Sequence, residues 1–305
     1  MSRAALRVMG GLLVTFALTG CSSSAGVPGP HGAPSEPSGT RSSGEVARES
    51  SLGLSYVALG DSFTAAPGVG DPTGPAACFR TDANYPHLLA ERLGLDLVDV
   101  SCAGATSRDL RSPQPAVGAA AQLDAVTAAT ELVTLSIGAN DDGLFGALAT
   151  QCAGLAGFGQ EAPAASCVSD ERFAEDRLAA ELSALSQETV RSVRAIRRRA
   201  PDAEVVVIGY PQLVPARGTC EVLPLDADEV PFVREINRRL AAAVEEGART
   251  ARVAYVDMWA ASEGHDACAA EPWVAGLRPV GPGAPLHPYP AHQAAVADAV
   301  AALLP

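Results

Sequence analysis

The 305-residue sequence predicts a three-layer α/β/α domain built on a parallel five-stranded sheet. Two observations predict it. Five short apolar runs alternate with segments of helical spacing from residue 51 onward. No internal repeat or second linker breaks that alternation, so one domain covers residues 51–305.

The strands are predicted at 55–59, 96–101, 132–137, 204–208 and 253–257. Each is a short, largely apolar run, which is how buried strands of a parallel sheet read. Helices are predicted at 84–93, 172–199, 232–249 and 291–304. The second is rich in Ala, Leu, Glu and Arg and is closed by Pro201. The arrangement expected is flavodoxin-like. Loops 64–83, 139–171, 211–230 and 258–290 follow strand ends, where open α/β sheets bind ligands. They are expected to wall a pocket.

Residues 1–20 read as a signal and not as fold. Arg3 and Arg7 supply its positive end, and the apolar run 8–18 is too short for a stable membrane span. Leu18-Thr19-Gly20-Cys21 looks like a bacterial lipobox, which predicts lipidation of Cys21. The alternative is an ordinary secretory signal that contains a cysteine. Residues 21–50, rich in Ser, Gly and Pro, read as a flexible tether. The expected location is the outer face of the bacterial cell membrane, held by lipid, or else free outside the cell.

The net charge is −13, with 35 acidic residues against 22 basic ones, and becomes −15 once residues 1–20 are removed. That balance argues against nucleic acid as a partner and against electrostatic docking on anionic lipid. All the basic residues are arginine. Phosphate loops and Schiff-base enzymes that need a lysine amine are therefore excluded. There is no C-x-x-C and no H-E-x-x-H, so no metal site or cofactor is implied. Beside Cys21 stand Cys78, Cys102, Cys152, Cys167, Cys220 and Cys268. Six cysteines in an exported chain read as three disulfides, with fifteen pairings open. The sequential pairing would close three separate loops.

The first strand runs into Gly60-Asp61-Ser62, which sets a serine at the tip of the sheet. The G-x-S-x-G elbow of α/β-hydrolases is absent. Three further segments matter: Ser101-Cys102-Ala103-Gly104, Gly138-Ala139-Asn140-Asp141, and His287-Pro288 before the last helix. Together these blocks resemble the SGNH, or GDSL-type, hydrolases, in the family order. Residues 51–305 look closest to its secreted, three-disulfide actinobacterial branch, which also shows segments like Cys78-Phe79-Arg80-Thr81 with Asn84-Tyr85-Pro86, and Gly264-His265-Asp266 with Cys268 and Trp273.

The resemblance implies an esterase or lipase. Ser62 would attack the acyl carbon, and His287 would take and return the proton. The backbone N–H groups of Ser62 and Gly104 and the side-chain amide of Asn140 would hold the oxyanion. His265 is the main competitor for the base. The family often carries an aspartate three residues before its histidine, where this chain has Ala284. The Ala284 carbonyl, or a carboxylate such as Asp257 or Asp266, is expected to orient His287. Asp61 is expected to cap the turn. His292-Gln293 stands where relatives often have Gly-Gln, a change expected to affect helix packing alone.

The substrate expected is a small-molecule or lipid ester. Apolar loop residues Phe145, Leu148, Leu155 and Phe158 support this, although they would equally suit a local core. The enzyme is expected to be a monomer that meets the membrane only through its lipid anchor. A polysaccharide acetylesterase uses the same chemistry with a different pocket. A surface lipoprotein that binds without catalysis is the remaining alternative.

Overall fold

The computed structural model describes residues 53–154, 166–223 and 225–304. The signal at 1–20, Cys21 with its tether, His31, Leu155 and Phe158 lie outside the described residues. In chain order the elements are β1 (Ser55–Gly60), α1 (Ser62–Ala65), α2 (Tyr85–Leu93), β2 (Asp96–Asp99), β3 (Leu132–Ser136) and α3 (Leu144–Ala147). These are followed by α4 (Glu175–Arg199), β4 (Glu204–Ile208), α5 (Glu229–Ala251), β5 (Ala254–Val256), α6 (Met258–Ala261) and α7 (Pro290–Ala301).

The sheet order is β2-β1-β3-β4-β5, and every neighbouring pair is parallel. This is the flavodoxin-like order. Side chains on a strand alternate between faces, and the two cores follow that alternation. Val57, Leu59, Val133, Leu135, Val205 and Val207 pack with α4 and α5. Tyr56, Ala58, Leu132, Val206 and Ile208 pack on the other face with α2 and α7. Where α4 and α5 cross, Gly247 lets them touch: a Cβ there would sit 2.5 Å from Thr189 Cβ and 2.7 Å from the Ser186 carbonyl oxygen.

Two strands depart from the expectation of full burial. β2 and β5 are the sheet edges, shorter than the apolar runs that announce them, and Val98 in β2 is 46% exposed. An edge strand loses cover on one side, which composition alone does not reveal.

The disulfides pair sequentially as Cys78–Cys102, Cys152–Cys167 and Cys220–Cys268. Each cross-links a loop at the carboxyl end of the sheet. A closed loop of fifteen residues stabilises by about 3 kcal/mol, by restricting the unfolded chain.

His292 in α7 is 2% exposed, and neither of its ring nitrogens finds a hydrogen-bond partner among the described residues. Burial pushes its pKa down to about 3. In the unfolded chain the ring takes up a proton near pH 6.5, while the folded protein refuses it until about pH 3. The stability this neutral ring contributes is therefore present above pH 6.5 and drains away as pH falls, by about 1.4 kcal/mol per pH unit at most. Denaturant melts of His292→Leu between pH 6.5 and 4 should show a flatter acid decline than the parent protein. Parallel declines would contradict this role for His292.

Candidate active site

Gly60 ends β1 because nothing larger fits. A Cβ there would lie 2.1 Å from Thr64 Oγ1 and 2.8 Å from the Ser136 carbonyl oxygen. Asp61 then caps α1, with Oδ1 accepting from the Phe63 N–H at 2.9 Å. Ser62 is therefore the first residue of α1, where a backbone N–H has no acceptor inside the helix. Its side chain sits at the carboxyl edge of the sheet.

Asp61 is fully buried. Burial pushes its carboxyl up to about 7, against the hydrogen bonds from Tyr210 and the Phe63 N–H, while the charge of Asp141 adds to the rise. Its other oxygen accepts from the Tyr210 hydroxyl at 2.6 Å. With both oxygens engaged, Asp61 serves the turn.

Gly104 follows β2 with φ of 76°, the left-handed region that glycine enters without strain. A Cβ there would meet nothing within 4 Å, so backbone conformation, not crowding, demands the glycine. Asn140 follows β3. One N–H of its amide donates to the Ala105 carbonyl at 3.1 Å, which leaves the second N–H of the same nitrogen for another acceptor. Asp141 ties the same two segments, accepting from the Ser107 N–H at 2.7 Å.

His287 comes from the far end of the chain and is held by backbone pairing. Its carbonyl accepts from the Ala275 N–H at 2.9 Å, and the Leu286 N–H donates to Gly276 at 3.1 Å. The Tyr289 N–H donates to Trp273 at 2.8 Å. Its ring Nδ1 lies 2.7 Å from the Pro285 carbonyl oxygen. A carbonyl only accepts, so Nδ1 carries the proton and Nε2 is the free base. Burial holds the ring below its ordinary pKa of 6.5, with the Pro285 carbonyl opposing. Phe63 and Phe145 stand 5.7 and 5.6 Å from it, centroid to centroid.

The orienting group differs from both expectations. The Ala284 carbonyl closes the turn by accepting from the His287 N–H at 3.2 Å. Pro285 and then Leu286 at φ of 61° give the pattern of a type II turn, and this folds the imidazole back on Pro285. Asp257 caps α6 through the Ala260 N–H, and Asp266 accepts from the Cys268 N–H.

A cleft of about 420 Å³ brings Ser62, Gly104, Asn140 and His287 together. Pro67, Phe79, Ala103, Phe145, Ala149 and Pro285 complete most of its wall. Ser62 Oγ and the His287 ring share this cleft without hydrogen-bonding each other. His265 stacks on Trp273 at 4.4 Å and gives Nδ1 to the Glu271 carbonyl at 2.7 Å, outside the cleft. His87 pairs with its own helix cap, Asn84, at 2.7 Å. Phe145 lines the cleft, whereas Leu148 is buried core. Among the described residues no group of three or more His, Cys, Asp or Glu is placed to hold a metal.

Three buried side chains hold this site; sequence reasoning passes over Gln122 and Tyr210, and reads Gln293 only as part of the His292-Gln293 pair. Gln122 gives and receives a bond at Gly60, at 2.9 and 2.8 Å. Gln293 accepts from the Tyr85 N–H at 2.8 Å and donates to the Phe63 carbonyl at 3.0 Å. Tyr210 is the third. Its one sequence signal is an aromatic residue just past a strand end, the level at which the site residues lie.

The GDSL-like lipase/acylhydrolase family matches residues 58–295. Lipase 2 of Streptomyces coelicolor is 41% identical over 248 residues, covering 76% of this chain and 81% of the relative. A lipase of Streptomyces rimosus is 30% identical over 72% of this chain and 75% of its own. Among solved structures, an extracellular lipase from Streptomyces rimosus superimposes with a TM-score of 0.65 at 26% identity, over 82% of this chain and all of that one. Phospholipase A1 from Streptomyces albidoflavus gives 0.64 at 26% identity, over 82% of this chain and 99% of its own. With that breadth of match in sequence and in fold, the chain belongs to the GDSL-like lipase/acylhydrolase family and is a carboxylic ester hydrolase.

Proposed function

We propose that Ser62 and His287 cleave carboxylic esters through an acyl-enzyme. The observation that carries the reading is the single cleft lined by Ser62, Gly104, Asn140 and His287. Ser62 Oγ attacks the acyl carbon while its proton passes to His287 Nε2. The carbonyl oxygen becomes an oxyanion, which accepts hydrogen bonds from the N–H groups of Ser62 and Gly104 and from the second amide N–H of Asn140. The C–O bond then breaks, and His287 returns the proton to the leaving alcohol. Water repeats the sequence on the acyl-enzyme, releasing the acid and restoring Ser62. The Pro285 carbonyl holds the imidazole in the required tautomer throughout and supports its positive charge.

The acyl chain of a lipid ester suits this cleft. Beyond Ser62, Asn140 and His287, the wall offers one further side-chain hydrogen-bonding group among the described residues, the Thr150 hydroxyl. Phe79 at the rim is 61% exposed and extends the apolar surface. A polysaccharide would find few polar partners there. The same proposal has the enzyme exported as a monomer and tethered by a lipid on Cys21. It is supported by the positive end, short apolar run and Leu18-Thr19-Gly20-Cys21 of the sequence, and by three disulfides suited to an oxidising compartment.

Ser62→Ala should lower kcat/KM on p-nitrophenyl acyl esters by at least about a thousandfold with the melting temperature kept. Hydrolysis at the parent rate would end the proposal. The pH profile of kcat/KM gives a second check. Because burial disfavours the charged ring, the acid limb should have its midpoint below about 6.5. A midpoint clearly above that value would contradict His287 as the base.

A further inference from the structure

Tyr210 stands just past β4, at the same end of the sheet as the cleft, yet it forms no part of the cleft wall. Its hydroxyl is buried and makes two bonds. It donates to Asp61 Oδ2 at 2.6 Å and accepts from the Ala139 N–H at 3.0 Å. Asp61 precedes Ser62, and Ala139 precedes Asn140. One hydroxyl therefore joins the residue before the proposed nucleophile to the residue before the proposed amide donor.

That link falls where the sheet stops helping. The pairing of β1 with β3 ends at Gly60 and Ser136, with the Asp61 N–H donating to Ser136 at 3.0 Å. Beyond that point the strands no longer pair, and the Tyr210 hydroxyl bonds to both segments. The remaining bonds extend the connection on both sides. Asp61 Oδ1 holds the Phe63 N–H, and the Asn140 amide holds the Ala105 carbonyl beside Gly104. The Tyr210 ring also packs edge-on against Phe63 at 5.2 Å, and Phe63 in turn faces His287.

We infer that Tyr210 is a positioning residue for ester hydrolysis, its hydroxyl holding the Asn140 amide in register with the Ser62 hydroxyl. The inference rests on the proposed roles of Ser62 and Asn140. Oxyanion donors act only when aimed at the charge that develops in the transition state, and small displacements of such groups are costly in rate. A residue that sets their spacing affects the chemical step and leaves ground-state binding alone.

Tyr210→Phe keeps the ring and removes the link. On p-nitrophenyl butyrate its kcat should fall about tenfold to a hundredfold, with KM within about twofold of the parent. Asp61→Asn keeps a good helix cap but has one acceptor oxygen for two donors, so it should show the same split. Because both variants break one chain of bonds, the double variant should lose no more than the weaker single variant. Parent-like kcat in either folded single variant, a loss confined to KM, or fully additive losses would each overturn the inference. If Tyr210→Phe does not fold, Asp61→Asn carries the test alone. An active Ser62→Ala would remove the nucleophile reading beneath it. An inactive Ser62→Ala beside a fully active Tyr210→Phe would remove only the positioning role.

Discussion

Gly60 has no freedom left, and the arrangement of the cleft follows from that. Its N–H and its carbonyl are both bonded to the Gln122 side chain, and the carbonyl also accepts from the Cys102 N–H at 3.1 Å. A side chain at this position would strike Thr64 and Ser136. Once Gly60 is held, the Asp61 cap directs Ser62 to the sheet edge. The strand order places β1 between β2 and β3, so the segments that carry Gly104 and Asn140 leave the sheet next to the one that carries the serine. Parallel strands all end at the same edge, which is why residues far apart in sequence can share one cleft.

His287 reaches the cleft by another route, with no strand to carry it. A short stretch of backbone pairing through Trp273, Ala275 and Gly276 holds its loop, and Cys220–Cys268 fastens the segment that leads into it. Leu286 occupies a left-handed conformation that leucine adopts at a cost, and its buried side chain keeps it there. That local strain turns the imidazole onto the Pro285 carbonyl. A carboxylate partner becomes unnecessary, because a carbonyl oxygen fixes the same tautomer.

Much of this was legible in the sequence. Short, largely apolar runs mark the strands, since strands in a parallel sheet are covered on both faces. Ser62, Gly104, Asn140 and His287 could be named because each follows a strand or precedes a helix in the family's order. Other features depend on backbone angles and on contacts between distant segments. The choice between the Ala284 and Pro285 carbonyls is set by the φ angle of Leu286, which composition does not encode. Gln122, Tyr210 and Gln293 reach their partners across 62, 149 and 208 positions of chain. Their local sequence does not show those partners. The true ends of β2 and β5 were hidden for a related reason, since edge position belongs to the sheet and not to the strand.

The central claim is that hydroxyl, imidazole and oxyanion donors act on a common point. A fluorophosphonate probe tests this most directly, because it phosphonylates a serine only where a base and an oxyanion site already converge upon it. Peptide mapping of the labelled protein should find one adduct, on Ser62, and His287→Ala should slow its formation severely. An intact, folded protein that takes up no label, or takes it up at another serine, would contradict the account.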